Sequence, residues 1–237
     1  MAIHTFPEKS AVIEALAERI EDIAQMSIHS KGSFSFVLSG GNTPKQLYET
    51  LAASPFRERI PWSKVDFFLG DERYVPITDN ESNYKMIAES LLIPLNIKEE
   101  QVYYYDTTLS PRGAAARYQK ILQRYFKNEK IVFDLVLLGL GENVHTASLF
   151  PQTDILHDNE PAVKSVHLPE TDSYRISLNA PMINQSNHII FLVTGLSKAM
   201  AVHQVIEGKL DLVSYPAQLI RTELTDWYID EPAASYL

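Results

Sequence analysis

Apolar positions along the chain alternate between two rhythms. Between residues 8 and 28, Val12, Ile13, Leu16, Ile20 and Ile23 recur at helical spacing and predict an amphipathic helix. Residues 33–38 form a short apolar run that predicts a strand, closed by Ser39-Gly40-Gly41-Asn42-Thr43-Pro44. Pro44 suits the first helical position, and Leu47, Tyr48 and Leu51 continue as a helical stripe. The same alternation predicts a strand at 65–69, a polar loop at 70–83, a helix at 84–92, a strand at 102–105 and a long helix from Pro111 to about residue 127. Residues 133–138 are the most apolar run and end in Gly139-Leu140-Gly141. Strands at 173–178 and 188–193 and a helix at 197–206 follow.

Strand and helix in turn predict an α/β fold, with a mainly parallel sheet flanked by helices. Continuously apolar strands fit a sheet covered on both faces. No low-complexity linker or internal repeat interrupts the 237 residues, so residues 1–237 are expected to form one domain. In such folds ligands bind beyond the carboxyl ends of the strands. Polar motifs follow Leu38, Leu69, Leu138 and Val193, which predicts one composite site.

Each motif carries a chemical reading beside a plainer one. In Ser39-Gly40-Gly41-Asn42-Thr43, two glycines let an anion approach the backbone at a helix N-terminus; the plainer reading is a strand-to-helix turn with Thr43 as N-cap. Asp71-Glu72-Arg73 offers acid–base and anion-binding groups directly after a strand, or else a solvated loop with a local ion pair. His145 follows the most buried strand, where an imidazole can serve as a base near neutral pH or simply cap a helix. Arg175 lies inside a strand pattern and Lys198 at a helix start, where a cation is disfavoured unless an anion is near. An Arg fork with a Lys point charge is what a phosphate site needs. A Gly-x-Ser-x-Gly elbow, a complete dinucleotide glycine motif and a zinc-type His-Glu-x-x-His are all absent.

Composition narrows the partners. Lys and Arg number 21 against 30 Asp and Glu, a net charge of -9, with no basic block. A nucleic-acid or anionic-membrane partner is therefore not expected, and an anionic ligand must be held by a few placed cations. Cysteine is absent, which excludes disulfides, thiolate metal sites and a cysteine nucleophile. The N-terminus does not read as a signal peptide and no run of about 18 apolar residues occurs, so no membrane span is expected.

Taken in order, Ser39-Gly40-Gly41-Asn42-Thr43-Pro44, Asp71-Glu72-Arg73 with Ser82-Asn83-Tyr84, His145-Thr146-Ala147-Ser148-Leu149-Phe150-Pro151, Arg175-Ile176-Ser177-Leu178, Gly195-Leu196-Ser197-Lys198-Ala199 and Tyr215-Pro216-Ala217 resemble the 6-phosphogluconolactonase family. The resemblance runs from Ser39 to about Ile220. It implies the Rossmann-like α/β fold shared with glucosamine-6-phosphate deaminase, hydrolysis of a phosphorylated sugar lactone in the pentose phosphate pathway, a cytoplasmic location, and no cofactor or metal. Catalytic roles are expected for His145 as general base and for Arg73 and Asp71. Substrate or phosphate binding is expected from Ser39, Gly40, Gly41, Asn42, Thr43, Arg175 and Lys198. One departure stands out: the family's usual Asp-Gly before the histidine is here Asn143-Val144. Two rival functions are an amino-sugar-phosphate isomerase-deaminase and a non-catalytic sugar-phosphate-binding regulator. The deaminase signature places a glutamate where this chain has Phe150.

Overall fold

The first long helix, α1 (Lys9–Lys31), buries the stripe Val12, Ile13, Leu16, Ala17, Ile20, Ile23 and Ala24, and closes at Gly32, whose φ of 85° takes the left-handed turn. The computed structural model describes residues 1–237. Seven parallel strands build the main sheet: β1 (Ala2–Phe6), β2 (Phe34–Leu38), β3 (Val65–Leu69), β5 (Val102–Tyr103), β6 (Leu135–Leu138), β9 (His188–Val193) and β10 (Thr225–Asp230). Their order is β1-β10-β9-β6-β2-β3-β5. Every residue of β2 and β6 is buried, as a strand covered on both faces requires.

A second sheet of three antiparallel strands has the order β4-β8-β7, from β4 (Asp71–Arg73), β7 (Val163–Leu168) and β8 (Ser173–Leu178). Here the structure corrects the sequence reading twice. Residues 71–73 are not loop but a strand, and 173–178 belong to this sheet rather than to the parallel one. Three charged residues carry no apolar strand signal; β4 exists because its backbone pairs with β8, Asp71 opposite Ser177 and Arg73 opposite Arg175.

The remaining helices connect these strands. They are α2 (Asn42–Leu51), α3 (Phe56–Arg59), α4 (Asn83–Ile87), α5 (Pro111–Tyr125), α6 (Ala180–Ile183), α7 (Ala199–Ile206) and α8 (Glu231–Ala234). The helix expected at 84–92 is shorter than that: α4 widens into a π-turn at Ala88–Leu92, just before Pro94. No helix is long and apolar enough to cross a membrane.

Two buried tyrosines pin the strand ends that matter most for the site. Tyr48 on α2 donates its hydroxyl to the Ser39 carbonyl at 2.8 Å and accepts from the Ser39 N–H at 2.9 Å. Tyr118 on α5 accepts from the Leu69 N–H at 3.0 Å. Where the chain leaves the sheet its backbone loses ladder partners, and each phenol supplies a replacement. Burial pushes both phenols far above their ordinary range, so both stay protonated. Replacing Tyr48→Phe leaves the buried Ser39 N–H and carbonyl unmatched. We expect a loss of about 1–3 kcal/mol, read as a lower urea midpoint with an unchanged slope. An unaltered midpoint would show that water replaces the phenol.

Candidate active site

The carboxyl ends of β2, β3, β6 and β9 open onto one cavity of about 470 Å³. Every residue expected in catalysis or in substrate binding lines it: Ser39, Gly40, Gly41, Asn42, Thr43, Asp71, Arg73, His145, Arg175 and Lys198.

The first wall is the turn from β2 into α2. Helix α2 starts at Asn42, two residues before Pro44, because Gly41 takes φ 109° and turns the chain there. The N–H groups of Asn42 and Thr43 therefore sit in the first helical turn, without intrahelical acceptors and at the positive end of the dipole. Thr43 is not the N-cap; its hydroxyl meets that of Thr194 at 3.1 Å, joining this wall to the loop after β9.

Strand β4 sorts its three charges by alternation. Asp71 and Arg73 face the cavity. Glu72 faces away, buried, and accepts from the N–H groups of Arg73 (2.8 Å), Asn83 (2.7 Å) and Tyr84 (2.8 Å) and from the Ser82 hydroxyl (3.1 Å). Its carboxylate thus caps α4 and holds the 82–84 segment. Of the acid–base groups that Asp71-Glu72-Arg73 offers in sequence, this placement takes Glu72 out of the cavity. Asp71 accepts from the Ser148 hydroxyl at 2.6 Å, and Asn83 Nδ2 donates to its backbone carbonyl at 3.0 Å. Burial pushes the Asp71 carboxyl upward; the Ser148 hydrogen bond and the charges of Arg73 and Arg175 pull it back.

His145 is fixed from three sides. Its Nδ1 lies 2.5 Å from Asn143 Oδ1, which assigns the ring proton to Nδ1 and leaves Nε2 as a free acceptor. Phe150 stacks on the imidazole with ring centroids 4.2 Å apart and planes 20° from parallel. Gly141 lies directly beneath: a Cβ there would come within 2.1 Å of Nδ1. The loop that presents the ring is itself hydrogen-bonded, Gly141 N–H to the His145 carbonyl at 2.8 Å and Thr146 hydroxyl to the Gly139 carbonyl at 2.8 Å. Burial first, and then the charges of Lys198, Arg175 and Arg73, lower the His145 pKa to about 4. At neutral pH the ring is an uncharged base.

The cations are arranged unusually. Arg73 and Arg175 stand opposite each other across the β4–β8 ladder, where like charges repel. Neither arginine, nor Lys198, forms an ion pair with a carboxylate. Arg73 donates to the Glu81 carbonyl at 2.6 Å and Arg175 to the Tyr174 carbonyl at 3.1 Å. Burial and the neighbouring Arg73 charge push the Arg175 guanidinium below its ordinary range. Three cations against the one carboxyl of Asp71 give the cavity a positive surplus that suits a phosphate monoester dianion.

The sequence reading overlooked Asn83, Ser148, Phe150 and Thr194 as parts of this cavity. Ser148 and Phe150 lay inside a motif already noted, three and five residues past His145, but nothing in the linear order aims a serine at Asp71 or a ring at the imidazole.

Comparison with known proteins places this geometry. Residues 7–228 match the family model described as glucosamine-6-phosphate isomerases/6-phosphogluconolactonase. The chain belongs to that family. It is 35% identical over 237 residues to 6-phosphogluconolactonase of Haemophilus influenzae, covering 98% of each chain. The solved 6-phosphogluconolactonase from Trypanosoma cruzi superposes with a TM-score of 0.87 at 27% identity, over 100% of this chain and 96% of that one. A monomeric glucosamine-6-phosphate deaminase has a TM-score of 0.83 at 19% identity, over 100% of both chains, and shares the fold.

Within the family frame, the departure at Asn143-Val144 has a structural reading. Asn143 keeps a hydrogen bond to the imidazole but brings no charge. Val144 adopts φ 63°, a left-handed conformation that costs a β-branched residue and suits the family's glycine. It is nevertheless 4% exposed, and its backbone carbonyl accepts from the Ala217 N–H at 3.0 Å, so burial and pairing hold the strained residue. Replacing Asn143→Asp puts a carboxylate on Nδ1, which favours the imidazolium and raises the His145 pKa. NMR titration of the His145 ring should show the midpoint moving up from about 4, whereas Val144→Gly should leave it in place. An unmoved midpoint in Asn143→Asp would show that residue 143 does not face the ring in solution.

Proposed function

We propose that this chain hydrolyses 6-phosphoglucono-1,5-lactone to 6-phosphogluconate, with His145 as general base and no cofactor. One observation carries this reading: a neutral imidazole with a free Nε2 shares one cavity with three cations that lack carboxylate partners. The 6-phosphate docks on the turn from Ser39 to Thr43, on Arg175 and on Lys198. Asp71, anionic and held by Ser148, accepts from sugar hydroxyls and fixes the ring. His145 Nε2 takes a proton from water as the water oxygen bonds to the lactone carbonyl carbon. Arg73 stabilises the oxygen that gains charge. When the ring C–O bond breaks, the imidazolium returns the proton to the departing ring oxygen, and the carboxylic acid product ionises. Acid–base assistance of this kind contributes about 10²- to 10⁴-fold.

A low pKa makes His145 a weak but fully available base. The bound phosphate dianion offsets the three cations that lower this pKa, so the base strengthens when substrate is present. Residues 1–237 act as one unit in this scheme, in the cytosol and on a small-molecule substrate. The deaminase alternative needs an acidic group where Phe150 stands, and Phe150 instead covers one face of His145 with hydrocarbon.

The test is lactone hydrolysis, with spontaneous opening subtracted, on phosphorylated and unphosphorylated substrates. Arg175→Ala and Lys198→Ala should each weaken binding of the phosphorylated lactone about 10- to 150-fold, the loss of one charge-assisted contact worth roughly 1.5–3 kcal/mol. Wild-type affinity in both variants, or a preference for the unphosphorylated lactone, would overturn the anion-site assignment. Activity should also survive exhaustive chelation, because an activated ester needs no Lewis acid at this site. Loss of activity restored by a divalent ion would contradict that.

A further inference from the structure

One polar atom in the wall of this cavity has no partner. Asn83 is 3% exposed, and its Oδ1 makes no hydrogen bond. The residue has little freedom to relax. Its backbone N–H is held by Glu72 at 2.7 Å, and its Nδ2 is committed to Asp71, at 3.0 Å from the carbonyl and 3.4 Å from Oδ1 of the carboxylate. The unpartnered Oδ1 is thereby driven against Gly40. A Cβ on Gly40 would lie 1.9 Å from it and 2.4 Å from the Asn83 Cγ.

This contact explains a glycine that backbone geometry does not. Gly41 needs its φ of 109°, but Gly40 lies outside the left-handed region that favours glycine. Space for the Asn83 carboxamide is what position 40 provides. The amide therefore touches the phosphate turn on one side and Asp71 on the other, with nothing between.

We propose that Asn83 is a positioning residue that transmits occupancy of the phosphate turn to Asp71. When the turn closes on a phosphate, Gly40 shifts against the carboxamide, and the Nδ2 contact carries that shift to the carboxylate that orients the sugar. Binding energy from the non-reacting end of the substrate is thus spent on orientation at the reacting end. This rests on the lactonase reading above, and its test separates the two.

The experiment delivers the substrate in two pieces: unphosphorylated glucono-1,5-lactone with and without phosphite dianion. Phosphite should accelerate hydrolysis by the wild-type chain. Asn83→Ala should lose that acceleration while phosphite still competes with the phosphorylated lactone at wild-type affinity. On the phosphorylated lactone, Asn83→Ala should lower kcat by about tenfold with KM little changed, as expected when remote binding is no longer converted into orientation. Gly40→Ala, on the binding turn itself, displaces the carboxamide without altering Asn83 and should lose the acceleration even at saturating phosphite, and it serves alone if Asn83→Ala does not fold. The double variant should be no worse than the more damaged single one, because both break one contact. Phosphite activation persisting in Asn83→Ala or Gly40→Ala, a change in KM alone, or multiplying losses would overturn the coupling. So would a wild-type chain that hydrolyses the phosphorylated lactone yet ignores phosphite. A wild-type chain inert on the phosphorylated lactone would overturn the activity, and the coupling with it.

Discussion

Arg73 and Arg175 face each other across the β4–β8 ladder, Lys198 lines the same cavity, and no carboxylate pairs with any of the three. Like charges directly opposite each other in a ladder are destabilising, and partial burial adds to the cost at Arg175. A fold keeps such an arrangement only if the surrounding structure over-determines it. Much of the molecule around the cavity does that. The parallel sheet sets the strand ends, α5 packs against the small sheet through β7 and β8, and buried Glu72 locks the 82–84 segment behind β4. The charge surplus then acts twice: it recruits a dianion, and it adds to the burial that keeps His145 unprotonated.

The histidine's environment is built as much from uncharged groups as from charges. Asn143 chooses the tautomer, Phe150 removes water from one face, and Gly141 leaves room for the ring against the backbone. An aspartate at 143 would orient the ring equally well but would add a charge opposing the cations. The valine at 144 keeps the left-handed turn that a glycine adopts without strain, and the Ala217 hydrogen bond helps to hold it.

Much of this was legible in the chain. Mostly apolar runs at 33–38, 65–69 and 133–138 mark the strands β2, β3 and β6 because burial between two helical layers demands it, and the polar motifs behind them mark the cavity. The second sheet was not legible. Asp71-Glu72-Arg73 has no apolar pattern, so its strand character comes wholly from its partner β8, about a hundred residues away. The contributions of Asn83, Ser148 and Phe150 were hidden for a related reason. Each acts by touching a residue that tertiary structure brings to it, or that the turn between them folds back upon it: Asp71 for the first two, and His145 for Phe150. The roles of Asp71 and Glu72 could not be separated from sequence either, since only alternation along a real strand sends one into the cavity and the other behind it.

The central claim is that chemistry and anion binding occupy one cavity but separate side chains, with His145 responsible for the first alone. The most direct measurement pairs lactone hydrolysis with binding of 6-phosphogluconate for the wild-type chain and His145→Ala. The account predicts that His145→Ala loses about 10²- to 10⁴-fold in hydrolysis, the range of a missing general base, and binds the phosphorylated acid as tightly as wild type or tighter. Hydrolysis at the wild-type rate in His145→Ala would contradict it and would pass the role of base to Asp71.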